Sequence, residues 1–439
     1  PRCMNPPTDH RRFYALDGVR AFAMFLGVFL HASLPYIYVG FPWAVVDTSR
    51  SVSLTLLVFV IHAFRMPAFF LIAGFFARML YQRTGWRSFA RHRARRVLLP
   101  LMVGWFALYP IMRALWVWGA VAAVPGAVAS HASAAVCLAL SPQYALQRLS
   151  FIHLWFLYYL LVLYVVFLAS RAAFVRWIDR TGSRRARIDE AFARVVHSAW
   201  LLPALVVPTT VILLPMRGWG VDLPEGSLVP SASHVLFYGA FFAFGWLLHR
   251  QPALLLAVSA RWWKFVLVAW LANVPQTLLL YAVYALRWPE TLGLRVAFFC
   301  VYALLAWAGV LALLGVFVRL FDRPWPALRY LADSSYWIYL VHLPVVVLLS
   351  IMLRPWAVPW PLKLAVVLGA SSPLLLASYH LLVRSSWLGV VLNGRRHPFR
   401  GRGPEPTHGR VGAAGTRSPP ASVESSAGVA RGCRDSFEG

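Results

Sequence analysis

Ten runs of about 20 apolar residues, each closed by arginine, proline or glycine, recur along the 439-residue chain, and a run of that length matches the hydrocarbon core of a bilayer. They lie near 14–36, 52–80, 97–118, 151–170, 198–216, 233–249, 263–285, 292–318, 331–353 and 362–383. Backbone crossing lipid must satisfy its own polar groups, so runs this long predict helices. Composition agrees: 60% of the residues are hydrophobic, 13% are charged, and the mean hydropathy is +0.64. Soluble domains are about a quarter charged, so a water-soluble fold is excluded. Four cysteines (Cys3, Cys137, Cys300, Cys433) without C-x-x-C spacing give neither a disulfide framework nor a zinc motif. The expectation is an all-α polytopic membrane protein of about ten transmembrane helices.

The formal charge is +27, from 42 basic and 15 acidic residues, which by itself would admit a nucleic-acid binder. Its distribution argues against nucleic acid and for the lipid bilayer as partner. With a cytoplasmic N-terminus, 31 of the 42 Lys/Arg fall on inside segments and 8 on outside ones, namely Arg50, Arg113, Arg148, Arg217, Arg287, Arg295, Arg354 and Lys363. The positive-inside bias therefore holds through every alternation and places both termini in the cytoplasm. No cleavable signal peptide is expected before the first run, which carries Asp17, Arg20 and His31. Inside segment 81–96 carries six arginines and no acid, and 171–197 predicts an amphipathic surface helix. The run 127–140 has the length of a re-entrant piece. Beyond residue 393 the chain turns to Gly, Pro, Ser and Arg, and 394–439 is expected to be a disordered cytoplasmic tail.

Ionisable groups inside a span are costly and point to function. The first span holds Asp17, Arg20 and His31. Eleven residues of helix bring Arg20 and His31 onto one face about 16 Å apart, with Asp17 three residues before Arg20 and able to pair with it. The second span holds His62 and Arg65, followed by Pro67, which is expected to kink it. His153 stands at the outer end of the fourth span. In the ninth, Ser335, Tyr339 and His342 follow one another at i, i+4 and i+7, a polar stripe on an apolar helix. Each also has a plainer reading: a buried ion pair, a carbonyl partner at Pro67, an interfacial belt, or interhelical hydrogen bonding.

Arg93 and Arg96, three apart before the third span, can grip phosphates through bidentate bonds; they can equally be ordinary positive-inside charge. Taken together, arginines at the inner side and histidines toward the outer side describe a path across the membrane. An acyl-CoA, a phosphate-rich carrier with a narrow reactive tip, fits that division as a co-substrate, with no permanently bound cofactor and no metal motif.

The stretches RFYALDGVRAFAMFLGVFLH (12–31), FRMPAFFLIAGFFARML (64–80), the Arg93/Arg96 pair, HLWFL (153–157) and SSYWIYLVHLP (334–344) together resemble the membrane acyltransferase 3 family over roughly 12–385. Within it, VIHAFRMPAFFLIAGFFA and IHLWFL are most similar to the branch that modifies periplasmic glucans. The resemblance implies a bacterial inner-membrane enzyme that moves an acetyl or succinyl group from cytoplasmic acyl-CoA to a glycan hydroxyl, alongside glucan-synthesis machinery. It implies Arg20 and His31 as the catalytic pair and Arg93 and Arg96 as the donor-binding motif. His62, Arg65, His153, Tyr339 and His342 would then line the acceptor side. The rival classes are a secondary transporter, against which no paired halves are found, and a non-catalytic sensor or assembly subunit.

Overall fold

A computed structural model describes residues 13–38, 43–123, 133, 136–137, 150–222 and 229–394. Most of the run 127–140 and the tail from 395 lie outside these residues. Among the described residues there are helices and no strands. The principal helices are α1 (Tyr14–Ser33), α2 (Val52–Arg93), α3 (Leu99–Ala122), α4 (Trp155–Ala173), α5 (Ser183–His197), α6 (Leu201–Leu213), α7 (Ala232–Arg250), α8 (Leu254–Ala260), α9 (Trp262–Tyr284), α10 (Leu292–Leu320), α11 (Pro326–Leu353), α12 (Trp360–Ser378) and α13 (Trp387–Asn393).

Eight segments are long and apolar enough to cross a membrane, or nine if the bent pair α5 and α6 counts as one span. One of the eight, Val52–Ala122, runs for 71 residues. At 1.5 Å per residue it is about 107 Å long, more than three bilayer cores, and must hold more than one crossing. Each of the ten predicted runs thus has a helix. The protein is an all-α, multi-pass membrane protein.

Three details differ from the sequence expectation. The break in α2 falls at Gly85 (φ 71°, ψ 175°), whereas Pro67 keeps helical backbone angles. A positive φ is open to glycine without steric cost, and nothing crowds this position. On either side of that break the arginine-rich segment 81–96 is helical rather than a loop, and it passes into α3 through a π-turn, Ala94–Leu98. The fifth run yields α6, only 13 residues and about 20 Å long, which meets the amphipathic α5 at 108°. The Ser198 turn bounds it at its start, while Pro203 and Pro208 lie within it.

Helix α10 is the axis of the bundle, 78% of its apolar window being buried, whereas α9 is 22% buried and faces outward. Lipid supplies no hydrophobic drive between helices, so close approach must come from small residues. Helices α2 and α7 meet at such a seam. A Cβ on Gly74 would stand 2.0 Å from the carbonyl oxygen of Phe242, and one on Gly245 would stand 1.9 Å from that of Leu71. Both obstacles are backbone and cannot swing aside. We expect Gly74→Ala and Gly245→Ala each to cost about 1–3 kcal/mol by overpacking, read as a lowered unfolding midpoint in detergent. Unchanged midpoints would show that the seam is looser than these distances. The seam holds α2 upright, and with it His62 and Arg65.

Candidate active site

Helices α1, α2 and α11, with the turn that opens α4, wall a cavity of about 670 Å³. Asp17, Arg20, His31, His62, Arg65, Arg93, Arg96, His153, Tyr339 and His342 all line it. Residues singled out on five separate stretches of sequence therefore converge on one space. Ser335 lines it too, so the polar stripe of α11 faces the cavity.

One end of the cavity is cationic. Arg20 donates to the Ala332 carbonyl (2.8 Å) and pairs with Asp17 at 3.4 Å, so its position is fixed from two sides. Arg91 and Arg95 point outward and are exposed, while Arg93 and Arg96 are half-buried and face the cavity. The Arg93 guanidinium lies 5.2 Å and 5.0 Å from the ring centres of Phe89 and Tyr164, a cation–π seat. Among the described residues no carboxylate forms an ion pair with Arg93 or Arg96. Tyr336 donates to the Arg96 carbonyl at 2.6 Å, which pins the π-turn to α11. The Arg96 guanidinium rests against Gly394, whose φ of 75° and missing Cβ admit it. Two guanidiniums that pair with no carboxylate among the described residues can form an anion-binding end.

The other end carries three imidazoles. His31 and His342 have ring centres 5.2 Å apart, and His153 and His342 5.5 Å apart. The ring nitrogens are assigned from their partners. His342 Nδ1 meets the carbonyl oxygens of Ile338 (3.0 Å) and Tyr339 (2.9 Å), which can only accept, so Nδ1 carries the proton. By the same argument His153 Nε2 donates to the Leu340 carbonyl at 3.0 Å. The remaining nitrogens, His342 Nε2 and His153 Nδ1, are buried and have no hydrogen-bond partner among the described residues; the same is true of His31 Nδ1. Buried polar atoms without partners are rare in native proteins and call for an explanation. The three residues line the cavity, and imidazole nitrogens beside it are suited to accepting a proton or to attacking a carbonyl.

Arg65 stands between the ends. It is 7% exposed, its Nε has no partner, and its guanidinium lies against α1 where a Cβ on Gly27 would come within 2.3 Å of Nη1. Gly27 is one helical turn before His31, so the glycine admits a buried cation beside the histidine. A cation held there can stabilise oxyanion charge developing on a carbonyl. His62, one turn before Arg65, lines the same cavity, as does Val221. Tyr339 donates its hydroxyl to the His153 carbonyl at 2.8 Å and so locks α11 to the α4 turn. That contact makes it a positioning residue for both histidines.

Several lining residues carry no sequence signal: Trp43, Trp116, Tyr164, Tyr336, His92 and Asn393. They sit in loops or ordinary helical stretches and gain meaning only from what lies opposite. Lys363 departs from expectation. Counted as an outside loop charge, it is 2% exposed and pairs with Asp47 at 2.7 Å, because the start of α12 packs onto the loop that follows α1.

The sequence pattern of the acyltransferase domain of the acyltransferase 3 type matches residues 13–380. Curated relatives are Glucans biosynthesis protein C of Shigella dysenteriae serotype 1 (strain Sd197), 40% identical over 99 residues, and the proteins of that name in Escherichia coli strains SMS-3-5 / SECEC and K12, each 39% identical over 99 residues. In each case the match covers 23% of this chain and 25% of the relative, so it spans about a quarter of the curated proteins' length. No solved structure matches the chain.

Proposed function

The chain belongs to the acyltransferase 3 family and is a multi-pass membrane acyltransferase, and from that premise we propose that it moves an acetyl or succinyl group from cytoplasmic acyl-CoA to a hydroxyl of a periplasmic glycan. A glucan is the proposed acceptor, on the name its relatives carry. The proposed setting is a bacterial inner membrane, with both termini in the cytoplasm and 12–385 as the acyltransferase unit. The single observation that carries this reading is the polarity of the cavity, with Arg93 and Arg96, which pair with no carboxylate among the described residues, at one end and the imidazoles of His31, His153 and His342 at the other.

In this reading Arg93 and Arg96 hold phosphates of the CoA, and Arg20 adds positive charge along the path. The arginine end and His31 are separated by about 16 Å of α1, a span that an extended pantetheine arm covers. The thioester carbonyl then lies beside Arg65, and the glycan hydroxyl beside His31. The hydroxyl oxygen attacks the carbonyl carbon. A C–O bond forms, the C–S bond breaks, the hydroxyl proton passes to the imidazole, and the CoA thiolate takes up a proton. His31 can also take the acyl group first, as an acyl-imidazole, and pass it on; both routes use the same residues. His342 stands beside His31, and His153 beside His342, with ring centres 5.2 Å and 5.5 Å apart.

The reading is tested on cells lacking the gene. Their periplasmic glycans should lose an acyl substituent, which the intact gene restores and the His31→Ala form does not. Glycans with unchanged acylation would overturn the assignment of donor and acceptor.

A further inference from the structure

We propose that Trp43 is the water seal over the His31 end of the cavity, held in place by the buried Asp47–Lys363 ion pair, so that these residues decide between acyl transfer and wasteful hydrolysis. The inference rests on the acyl-transfer reading above. Trp43 lies in the loop between α1 and α2, and its ring is stacked on His31 with centres 5.7 Å apart and planes 21° apart. Trp116 of α3 closes against it edge-on at 5.1 Å, and both line the cavity. Tryptophans of an interfacial belt turn toward the headgroups. Trp43 turns inward onto His31, and Trp116 onto Trp43.

The loop carrying Trp43 is fastened from three helices. Lys363 Nζ binds Asp47 Oδ2 at 2.7 Å and the Arg354 carbonyl at 3.2 Å, and both charged side chains are 2% exposed. Arg354 donates in turn to the carbonyls of Val46 and Ala122. On the α3 side, a Cβ on Gly119 would stand 2.2 Å from the Ala44 carbonyl, so the loop lies against bare helix backbone. A buried ion pair is an inefficient source of stability, because desolvation offsets much of its attraction; its use here is geometric. It fixes the loop four residues from Trp43.

Water arriving at the thioester would compete with the glycan. Its oxygen would attack the carbonyl carbon, a C–O bond would form and the C–S bond break, and the proton would pass to the thiolate, leaving free acid and CoA thiol. A transferase must keep water from that carbon until the acceptor is seated.

The test uses purified full-length protein with acetyl-CoA and succinyl-CoA, no acceptor, and thiol release as the readout, beside acyl-CoA affinity. The intact protein should release thiol slowly. Trp43→Ala should raise the rate several-fold with affinity unchanged, and Trp43→Phe should stay near the intact value. Asp47→Asn combined with Lys363→Met, neutral and close in volume, should raise it as well. If Trp43→Ala does not assemble, Trp43→Leu keeps an apolar side chain but opens a gap, and the same increase is expected. Thiol release at the intact level in variants that still bind acyl-CoA would overturn the seal and leave the transfer reading standing. Intact protein that binds neither acyl-CoA would overturn that reading, and the seal with it.

Discussion

His31→Gln should abolish acylation while leaving a folded protein that still binds acyl-CoA. A general base typically contributes about 10²–10⁴ in rate, so the residual activity should be small. The amide can make a hydrogen bond of similar reach, yet it takes up no proton near neutral pH and forms no acyl intermediate. It also preserves much of the stacking surface that Trp43 covers, so lost packing would not account for the effect. The measurement is single-turnover acyl transfer set beside acyl-CoA affinity. Near-normal transfer by the Gln variant would move the chemistry to His342 or His153, which line the same cavity.

Removal of both cations at the other end, Arg93→Ala with Arg96→Ala, should eliminate measurable acyl-CoA binding. A hydrogen bond to a charged group is worth about 1.5–3 kcal/mol, so two guanidiniums on phosphate supply a loss of two orders of magnitude or more in affinity. Lysine at both positions should restore only part of it, since an ammonium keeps the charge but not the planar fork. Lysine also fits poorly between Phe89 and Tyr164, where the flat Arg93 guanidinium sits. Titration of detergent-solubilised protein with acyl-CoA decides the matter: unchanged affinity would return the pair to plain membrane topology.

The arginine pair shows how far sequence reading reaches. The spacing in R-x-x-R put two guanidiniums on one helical face, but positive-inside topology explained them equally well. What separates the readings is that Arg93 and Arg96 face the cavity while Arg91 and Arg95 face outward. Arg96 lies in the π-turn Ala94–Leu98, and the Tyr336 hydroxyl donates to its carbonyl from 240 residues away. The stripe of Ser335, Tyr339 and His342 was legible for a similar reason, since helical period is a local property. Which of its atoms are free was not. The tautomer of His342 depends on its own helix's carbonyls, but its neighbours His31 and His153 come from helices far away in sequence.

By itself the sequence determined that the chain lies in a membrane, where its helices run, and which ionisable side chains are too costly to be there without a purpose. These follow from local quantities: apolar length against bilayer thickness, and charge against lipid. Only the tertiary structure decided that those side chains share one cavity. Arg20 meets Ala332 across 312 residues, Tyr339 meets His153 across 186, and Lys363 meets Asp47 across 316. Packing at such separations is set by glycine seams and shape complementarity between helices, and no period or composition within a single run encodes it.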